Sequence, residues 1–213
     1  MKRFRFLDLL FPPCCAGCGV ADSLLCERCL AATGKPLRFQ LGMLSCVALG
    51  SYNGVLRTSV LRMKKGRRDI GERLGALLAQ RLGAFVAPDA CLVPIPTTFA
   101  RRAERGFDQA GLLARAVGCE LGRPVSAGIE RLAGPAQQGR TRKERLTASG
   151  RFTLLRGAAL QGANVVLVDD VATTGATLRE AAAVLEAGGA RVRGGLLVAC
   201  ADDTWESGGN HSD

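Results

Sequence analysis

The chain has 213 residues, of which 47% are hydrophobic and 23% are charged, and its formal net charge is +10. This composition is ordinary for a soluble globular protein, and the length allows one α/β domain with a small appendage. No run of about 18 apolar residues occurs, so we predict no transmembrane helix. The positive surplus favours polyanionic partners, namely nucleic acid, phosphorylated substrates or an anionic membrane surface.

The first segment, Met1–Phe11, is largely apolar but is interrupted by Arg5 and Asp8. No small-residue cleavage site follows, so the segment does not resemble a signal peptide. We predict a short helix packed on the body of the protein, with a membrane-surface or partner-docking helix as the alternative. The chain has nine cysteines. An odd count without a signal peptide argues against a disulfide framework and favours a reducing cytoplasm.

Four of the cysteines form two pairs with the same internal spacing, Cys15 with Cys18 and Cys26 with Cys29. Four thiolates in this arrangement suit a tetrahedral Zn²⁺ ion, and a site closed by four sulfur ligands has no open position for a substrate. We therefore predict a structural zinc site. The alternative is four unrelated buried cysteines, which the paired spacing disfavours.

Strand and helix patterns alternate from about residue 44 onward. This alternation predicts an α/β fold with a mainly parallel sheet, in which ligands bind beyond the carboxyl ends of the strands. We divide the chain into an N-terminal module (residues 1–43), a main domain (44–201) and a disordered polar tail (202–213). The predicted strands are Ser45–Tyr52, Cys91–Ile95, Val165–Val168 and Val192–Ala199, and the predicted helices are Ile70–Phe85, Gln109–Leu121 and Ala176–Ala187.

Residues 165–178 combine a buried strand, two carboxylates and a threonine-rich loop. Asp169 and Asp170 follow the strand, and Thr173–Thr177 opens the next helix. Gly175 lets the backbone approach a ligand closely, while free N–H groups and threonine hydroxyls at a helix start can cradle a phosphate. The carboxylates can accept hydrogen bonds from ribose hydroxyls or help hold Mg²⁺. Plain N-capping is the alternative, and it accounts for only part of the pattern.

This segment resembles the phosphoribosyl pyrophosphate (PRPP) signature of type I phosphoribosyltransferases. Four further features accompany it: the two cysteine pairs and the segments Met63–Gly66, Val93–Pro96 and Arg105–Gln109. With them, the chain from about residue 12 to 200 resembles the ComF family of competence-associated proteins. The resemblance implies a type I phosphoribosyltransferase fold, a mainly parallel sheet flanked by helices, joined to a small N-terminal four-cysteine zinc module. It also implies PRPP binding with Mg²⁺ and a role in DNA uptake at the cytoplasmic face of the inner membrane.

The resemblance further implies roles for individual residues. The loop after the paired carboxylates would hold the 5-phosphate, the carboxylates would hold the ribose, and the turn at residues 96–98 would hold pyrophosphate. The family usually has asparagine at the position of Asp108 and leucine at that of Arg140. The expected ligand-binding residues are Lys64, Pro96, Thr97, Thr98, Gln137, Asp169, Asp170, Thr173, Thr174, Gly175, Ala176 and Thr177. In an active transferase the expected catalytic residues are Arg105, Arg145, Asp169 and Asp170.

Two basic segments carry more positive charge than one small ligand needs. Arg57–Arg73 contains seven Lys or Arg residues against two acidic ones, and Arg131–Arg151, an expected mobile hood loop, contains six against one. They favour a single-stranded DNA track through Lys64, Lys65, Arg67, Arg68 and Arg140–Arg145, with solvated surface charge as the alternative.

Three functions remain open on the sequence. The first is a ComF-like protein that binds PRPP and assists DNA uptake, with a ComFA-type competence helicase and the inner membrane surface as candidate partners. The second is a single-stranded nucleic-acid-binding adaptor without transferase activity, whose pocket accepts a strand's terminal phosphate or serves regulation. The third is a nucleobase-salvage phosphoribosyltransferase, which would need a shaped base pocket.

Overall fold

A computed structural model describes residues 13–132, 148–149 and 151–201. The strands are β1 (Leu37–Leu41), β2 (Leu44–Ala48), β3 (Cys91–Pro94), β4 (Ile129–Arg131), β5 (Ala148–Ser149), β6 (Phe152–Leu154), β7 (Asn164–Ala172) and β8 (Arg191–Cys200). The helices are α1 (Glu27–Ala31), α2 (Gly54–Lys64), α3 (Arg68–Leu82), α4 (Phe99–Arg105), α5 (Gln109–Leu121) and α6 (Ala176–Ala187), with a 3₁₀ turn at Gly83–Phe85. None of these helices is long and apolar enough to cross a membrane.

The main sheet has the strand order β1-β2-β8-β7-β3. Strands β2, β8, β7 and β3 run parallel, and only the outer strand β1 is antiparallel, to β2. Helical connections join the parallel strands, because such strands cannot be linked by a tight hairpin. The predicted α/β fold with a mainly parallel sheet is therefore confirmed. Strand β1 lies within residues 1–43, which were assigned to the N-terminal module. This segment therefore also contributes a strand to the main sheet.

Several predicted boundaries need correction. The strand predicted to end at Val168 continues to Ala172, because the backbone of these extra residues pairs with β8 as far as Cys200. The strand predicted over Ser45–Tyr52 ends at Ala48, and only an isolated bridge joins Ser51 to β8. The helix predicted over Ile70–Phe85 begins at Arg68 and ends at Leu82. The helices Gln109–Leu121 and Ala176–Ala187 agree with the prediction at both ends.

Two apolar clusters cover the two faces of the main sheet. On one face α2, α3 and α5 pack through residues such as Met63, Leu74 and Leu113. Gly75 brings α3 close to α5, because an added Cβ there would overlap Ala116. The cysteine segment joins this cluster through buried residues that include Cys15. On the other face, α6 packs with the small antiparallel sheet β4-β6-β5.

Some predicted features lie outside the described residues. These are the Met1–Phe11 helix, the hood positions Gln137, Arg140 and Arg145, and the tail over residues 202–213. The small sheet β4-β6-β5 carries the two ends of the predicted hood loop.

Candidate functional site

A cavity of about 480 Å³ opens at the carboxyl end of β7. Strand β7, the turn after β3, the ends of α2 and α4, the start of α5 and the small sheet all contribute to its wall. Its location agrees with the rule for ligand sites in parallel α/β sheets. Its polar and charged lining residues include Tyr52, Lys64, Thr97, Arg101, Arg105, Asp108, Arg131, Arg151, Asp169, Asp170, Thr173 and Thr177, and Pro96 also lines it.

The paired carboxylates share the floor of this cavity with a lysine. Lys64 Nζ, at the end of α2, lies 2.8 Å from Asp170 Oδ2. The backbone N–H of Asp170 donates a hydrogen bond of 2.8 Å to Asp169 Oδ1. Burial, followed by the charge of Asp170, raises the pKa of Asp169 well above its ordinary value. The pair therefore favours a ligand that supplies hydroxyl donors or a cation.

The loop after β7 has the geometry expected of an anion cradle. Gly175 has φ 67° and is buried, and an added Cβ would lie 2.6 Å from Leu41 Cδ1. Helix α6 begins at the next residue, and the N–H of Ala176 donates to Thr174 Oγ1 over 3.4 Å. Thr173 and Thr174 are exposed. The first N–H groups of a helix have no partner within it, so this loop can bind an anion in the cavity.

Most of the sequence-predicted ligand residues meet in this one cavity. Lys64, Pro96, Thr97, Arg105, Asp169, Asp170, Thr173 and Thr177 line it. Thr174, Gly175 and Ala176 form the loop beside it but do not line it, and neither does Thr98. Thr98 Oγ1 instead accepts the N–H of Arg101 over 3.3 Å and caps α4. Arg105 Nη1 donates to Gln109 Oε1 over 3.1 Å. Gln137 and Arg145 lie outside the described residues.

The cavity wall also includes residues that were not among the expected ligand-binding residues, notably Tyr52, Arg101, Arg131 and Arg151. Asp108, which stands where the family usually has asparagine, also lines the cavity. Its Oδ1 is buried without a hydrogen-bond partner, and burial raises its pKa. The sequence marks Arg131 and Arg151 only as the ends of the predicted hood loop and Arg101 only as a cation after the Pro96 turn. It gives no signal for Tyr52, because the tertiary fold brings these separate segments together.

The first basic segment is partly occupied by internal contacts. Lys64 pairs with Asp170, and Arg67 Nη2 lies 2.6 Å from Asp69 Oδ2. The guanidinium of Arg68 lies 5.4 Å from the centre of the Phe107 ring. Lys65 is exposed. Fewer of these charges are therefore available to nucleic acid than the sequence alone indicated.

The four paired cysteines converge as predicted. The sulfur atoms of Cys15, Cys18, Cys26 and Cys29 all lie within 4.8 Å of one another. Cys26 Sγ lies 3.7 Å from both Cys15 Sγ and Cys18 Sγ. A tetrahedral ion with metal–sulfur bonds of about 2.3 Å needs sulfur separations of about 3.8 Å. The donor set and its spacing therefore fit a structural metal such as zinc.

Backbone groups support a thiolate at Cys15, whereas burial and the neighbouring cysteines raise the pKa of Cys29 to about 12. Burial raises the pKa of Cys15, but the N–H groups of Cys26, Cys18 and Gly17 outweigh it and lower that pKa to about 6. Gly17 packs closely, because an added Cβ would lie 2.6 Å from Cys29 Sγ. The cluster is tied to the main domain through α2, since Arg62 Nη1 donates to the carbonyl of Cys15 over 2.7 Å.

Comparison with known proteins supports the interpretation of the fold. The family model described as "Phosphoribosyl transferase domain" matches residues 74–204. Competence protein ComFC of Bacillus subtilis (strain 168) is 34% identical over 177 residues, which cover 80% of this chain and 70% of that protein. DNA utilization protein YhgH of Salmonella typhi is 34% identical over 191 residues, which cover 83% of this chain and 79% of that protein. YhgH of Escherichia coli (strain K12) is 32% identical over 194 residues.

Among solved structures, adenine phosphoribosyltransferase from Leishmania donovani aligns at 24% identity with a TM-score of 0.38. The alignment covers 62% of this chain and 53% of that one, so the chain spans about half of that protein. The sequence matches are more extensive, because the family model covers over half of the chain and the relatives align over most of it. The chain therefore belongs to the phosphoribosyl transferase domain family and, within it, to the ComF family.

Proposed function

We propose that this chain binds PRPP or a closely related phosphoribosyl ligand with Mg²⁺, and that it acts in DNA uptake. One observation carries the proposal: the paired carboxylates Asp169 and Asp170 share a cavity with Thr173 and Thr177, the two ends of the segment after β7 that we call the anion loop (residues 173–177). A sugar phosphate offers both chemistries in one molecule, since hydroxyls suit carboxylates and a phosphate suits the loop.

The rest of the cavity suits the pyrophosphate of PRPP. Pro96 and Thr97 lie in its wall, and Arg101 and Arg105 of α4 add positive charge there. Guanidinium groups bind phosphate oxygens with well-directed hydrogen bonds. Asp169 and Asp170 have the oxygen ligands that Mg²⁺ prefers. When bound, Mg²⁺ would neutralise charge on the pyrophosphate.

If the chain is a transferase, the bond between the anomeric carbon and a pyrophosphate oxygen breaks. A new bond then forms between that carbon and a nucleophilic atom of the acceptor, which loses its proton. Arg101 and Arg105 would stabilise the departing pyrophosphate, and Lys64 would hold Asp170 in place beside the ribose. The adaptor function lacks this step and does not require PRPP, because its pocket would accept the terminal phosphate of a nucleic-acid strand.

Calorimetric titration with PRPP and Mg²⁺ tests the proposal. Asp169→Asn combined with Asp170→Asn should weaken binding by at least about tenfold, because two charged acceptors are lost. Glu186→Gln removes an exposed carboxylate of α6 that does not line the cavity and should leave the affinity unchanged. Absence of PRPP binding to the wild-type chain at millimolar ligand would exclude this function and leave the adaptor function.

The proposed role in DNA uptake rests on the relatives, which are called a competence protein and DNA utilization proteins. It includes weak single-stranded DNA binding, favoured by the net charge of +10, and contact with a ComFA-type helicase or the inner membrane surface. Because phosphate contacts release counterions, DNA affinity measured by fluorescence anisotropy should fall steeply with salt. Binding that is absent at low salt would exclude the DNA track.

We also propose Zn²⁺ as the ion of the four-cysteine cluster and residues 1–43 as the module that it stabilises. The sulfur distances and the closed donor set support zinc. Limited proteolysis with and without the metal tests the module boundary, since cleavage after metal removal should concentrate before about residue 43.

A further inference from the structure

Arg151 is anchored to α6 beside the anion loop by several hydrogen bonds. Its backbone N–H donates to Glu180 Oε1 and its Nε donates to Glu180 Oε2, each over 2.6 Å. This two-point contact with α6 leaves the end of the guanidinium free to face the cavity. There, Nη1 donates to Thr177 Oγ1 over 3.2 Å. Arg151 therefore reaches the same threonine that is expected to bind phosphate.

The small sheet places Arg131 near Arg151. Strands β4 and β6 pair with Arg131 opposite Phe152, the residue that follows Arg151. The guanidinium of Arg131 lies 5.3 Å from the centre of the Phe152 ring, which fixes its position. Both arginines line the cavity. Two guanidinium groups at the small sheet thus line the same cavity as Thr173 and Thr177.

Two like charges held side by side oppose each other unless an anion lies between them. Burial and the charges of Arg151 and Arg101 lower the pKa of Arg131. Glu180 forms an ion pair with Arg151, and Asp170 of the cavity floor is paired with Lys64. The charges of Glu180 and Asp169 offset only part of the lowering at Arg131, whose pKa stays below its ordinary value. An anion bound between the loop and the two arginines would remove this repulsion.

We infer that Arg131 and Arg151 form the second wall of the phosphate site and select a phosphate monoester dianion on a sugar C5. This inference deepens the proposed function, because it concerns the same cavity. The guanidinium of Arg131 and the remaining N–H groups of Arg151 line the same cavity as the loop, so together they supply donors for three terminal oxygens and two positive charges. An internal phosphodiester offers only two free oxygens and one charge, so it fits the site less well.

A free sugar phosphate and the 5′-phosphate of a DNA end share this chemistry. The test measures calorimetric affinities for ribose 5-phosphate, pyrophosphate and PRPP, and for a short thymidine oligonucleotide with and without a 5′-phosphate. The variants are Arg131→Gln and Arg151→Gln. Arg193→Gln is the matched control, because Arg193 lies outside the cavity and contacts Asn164 at the start of β7. Thermal melting checks that each variant is folded.

We expect Arg131→Gln and Arg151→Gln each to lower ribose 5-phosphate affinity by at least about tenfold, with pyrophosphate affinity and the Arg193→Gln control unchanged. Wild-type affinity should also fall as the pH is lowered from about 7.5 to 5.5, across the second phosphate ionisation near pH 6, and the variants should lose most of this dependence. If Arg151 had only a structural role, Arg151→Gln would leave the pH dependence of ribose 5-phosphate affinity unchanged.

The two DNA arms identify the source of the phosphate. A preference for the 5′-phosphorylated strand that Arg131→Gln abolishes would assign the site to a DNA end, and no such preference would assign it to a free sugar phosphate. Unchanged ribose 5-phosphate and 5′-phosphate affinities in both variants, or no binding of either by the wild type, would overturn the inference. Ribose 5-phosphate binding through these arginines without PRPP binding would instead refute the proposed function alone.

Discussion

Lys64 Nζ and Asp170 Oδ2 lie 2.8 Å apart and join the last turn of α2 to the carboxylate pair of β7. Both side chains are mostly shielded from solvent, with exposed fractions of 26% and 14%. Asp169, next to this ion pair, has a raised pKa because of burial and because of the charge of Asp170. Lys64 thus compensates a pair of carboxylates whose mutual repulsion opposes folding.

The first prediction is that two substitutions at this site change stability in opposite directions. Asp169→Asn should raise the free energy of unfolding, because it removes a charge whose pKa the fold raises, while Asn can still accept the Asp170 N–H. Lys64→Met should lower it, on the order of 1 kcal/mol, because the carboxylates lose their cation. Urea denaturation at neutral pH measures both, and a loss of stability in Asp169→Asn would contradict the argument.

The second prediction concerns the pH dependence contributed by Asp108. Burial raises the pKa of its carboxyl, so the charged form is less favourable in the folded chain than in the unfolded one. Its contribution to stability therefore declines as the pH rises from the ordinary pKa of 3.8 through the raised folded value, and stays low above it. Asp108→Asn should be more stable than wild type at pH 7, with an advantage that shrinks towards pH 4. An advantage independent of pH would contradict this.

The third prediction separates backbone strain from packing at Gly175. Gly175 has φ 67° and faces Leu41, whereas Gly122 has φ 63° and nothing within 4 Å of an added Cβ. Gly122→Ala should cost about 1 kcal/mol, the conformational penalty alone. Gly175→Ala should cost clearly more, because the added Cβ also overlaps Leu41. If the two variants lose the same free energy of unfolding in denaturant titrations, Leu41 must move aside without cost, which would contradict this prediction.

The fourth prediction concerns the metal. Purified protein should contain about one equivalent of zinc, and Cys26→Ser should lose it and destabilise the cysteine segment, because structural zinc contributes on the order of 10 kcal/mol to folding. Cys91→Ser, outside the cluster, is the matched control and should retain the ion. Elemental analysis decides the matter, and less than about a tenth of an equivalent in protein prepared without chelator would contradict a stable site.

The sequence predicts the features whose signal is local. The apolar run, paired carboxylates and threonines of residues 165–178 stand together, and the structure brings them to one cavity. The paired cysteines are equally local, and their sulfur atoms converge. Helix α2 was not predicted, because its buried stripe of Leu56, Val60 and Met63 also includes the polar Ser59.

Other parts of the site depend on tertiary contacts. Arg131 and Arg151 are separated along the chain and meet only because β4 and β6 pair in a specific register. Tyr52 reaches the cavity because its backbone N–H is bound to the carbonyl of Cys200 at the end of β8. No periodicity in the sequence contains this information.

Helix α2 is a single rigid segment that touches both sites. Arg62 holds the carbonyl of Cys15 in the cysteine cluster, and Lys64, two residues later, holds Asp170 in the cavity. Loosening the cluster should therefore also disturb the lysine on which the carboxylates depend. If the cluster holds zinc as proposed, removing the metal with a chelator would also weaken ligand binding in the cavity, although every cavity residue is intact.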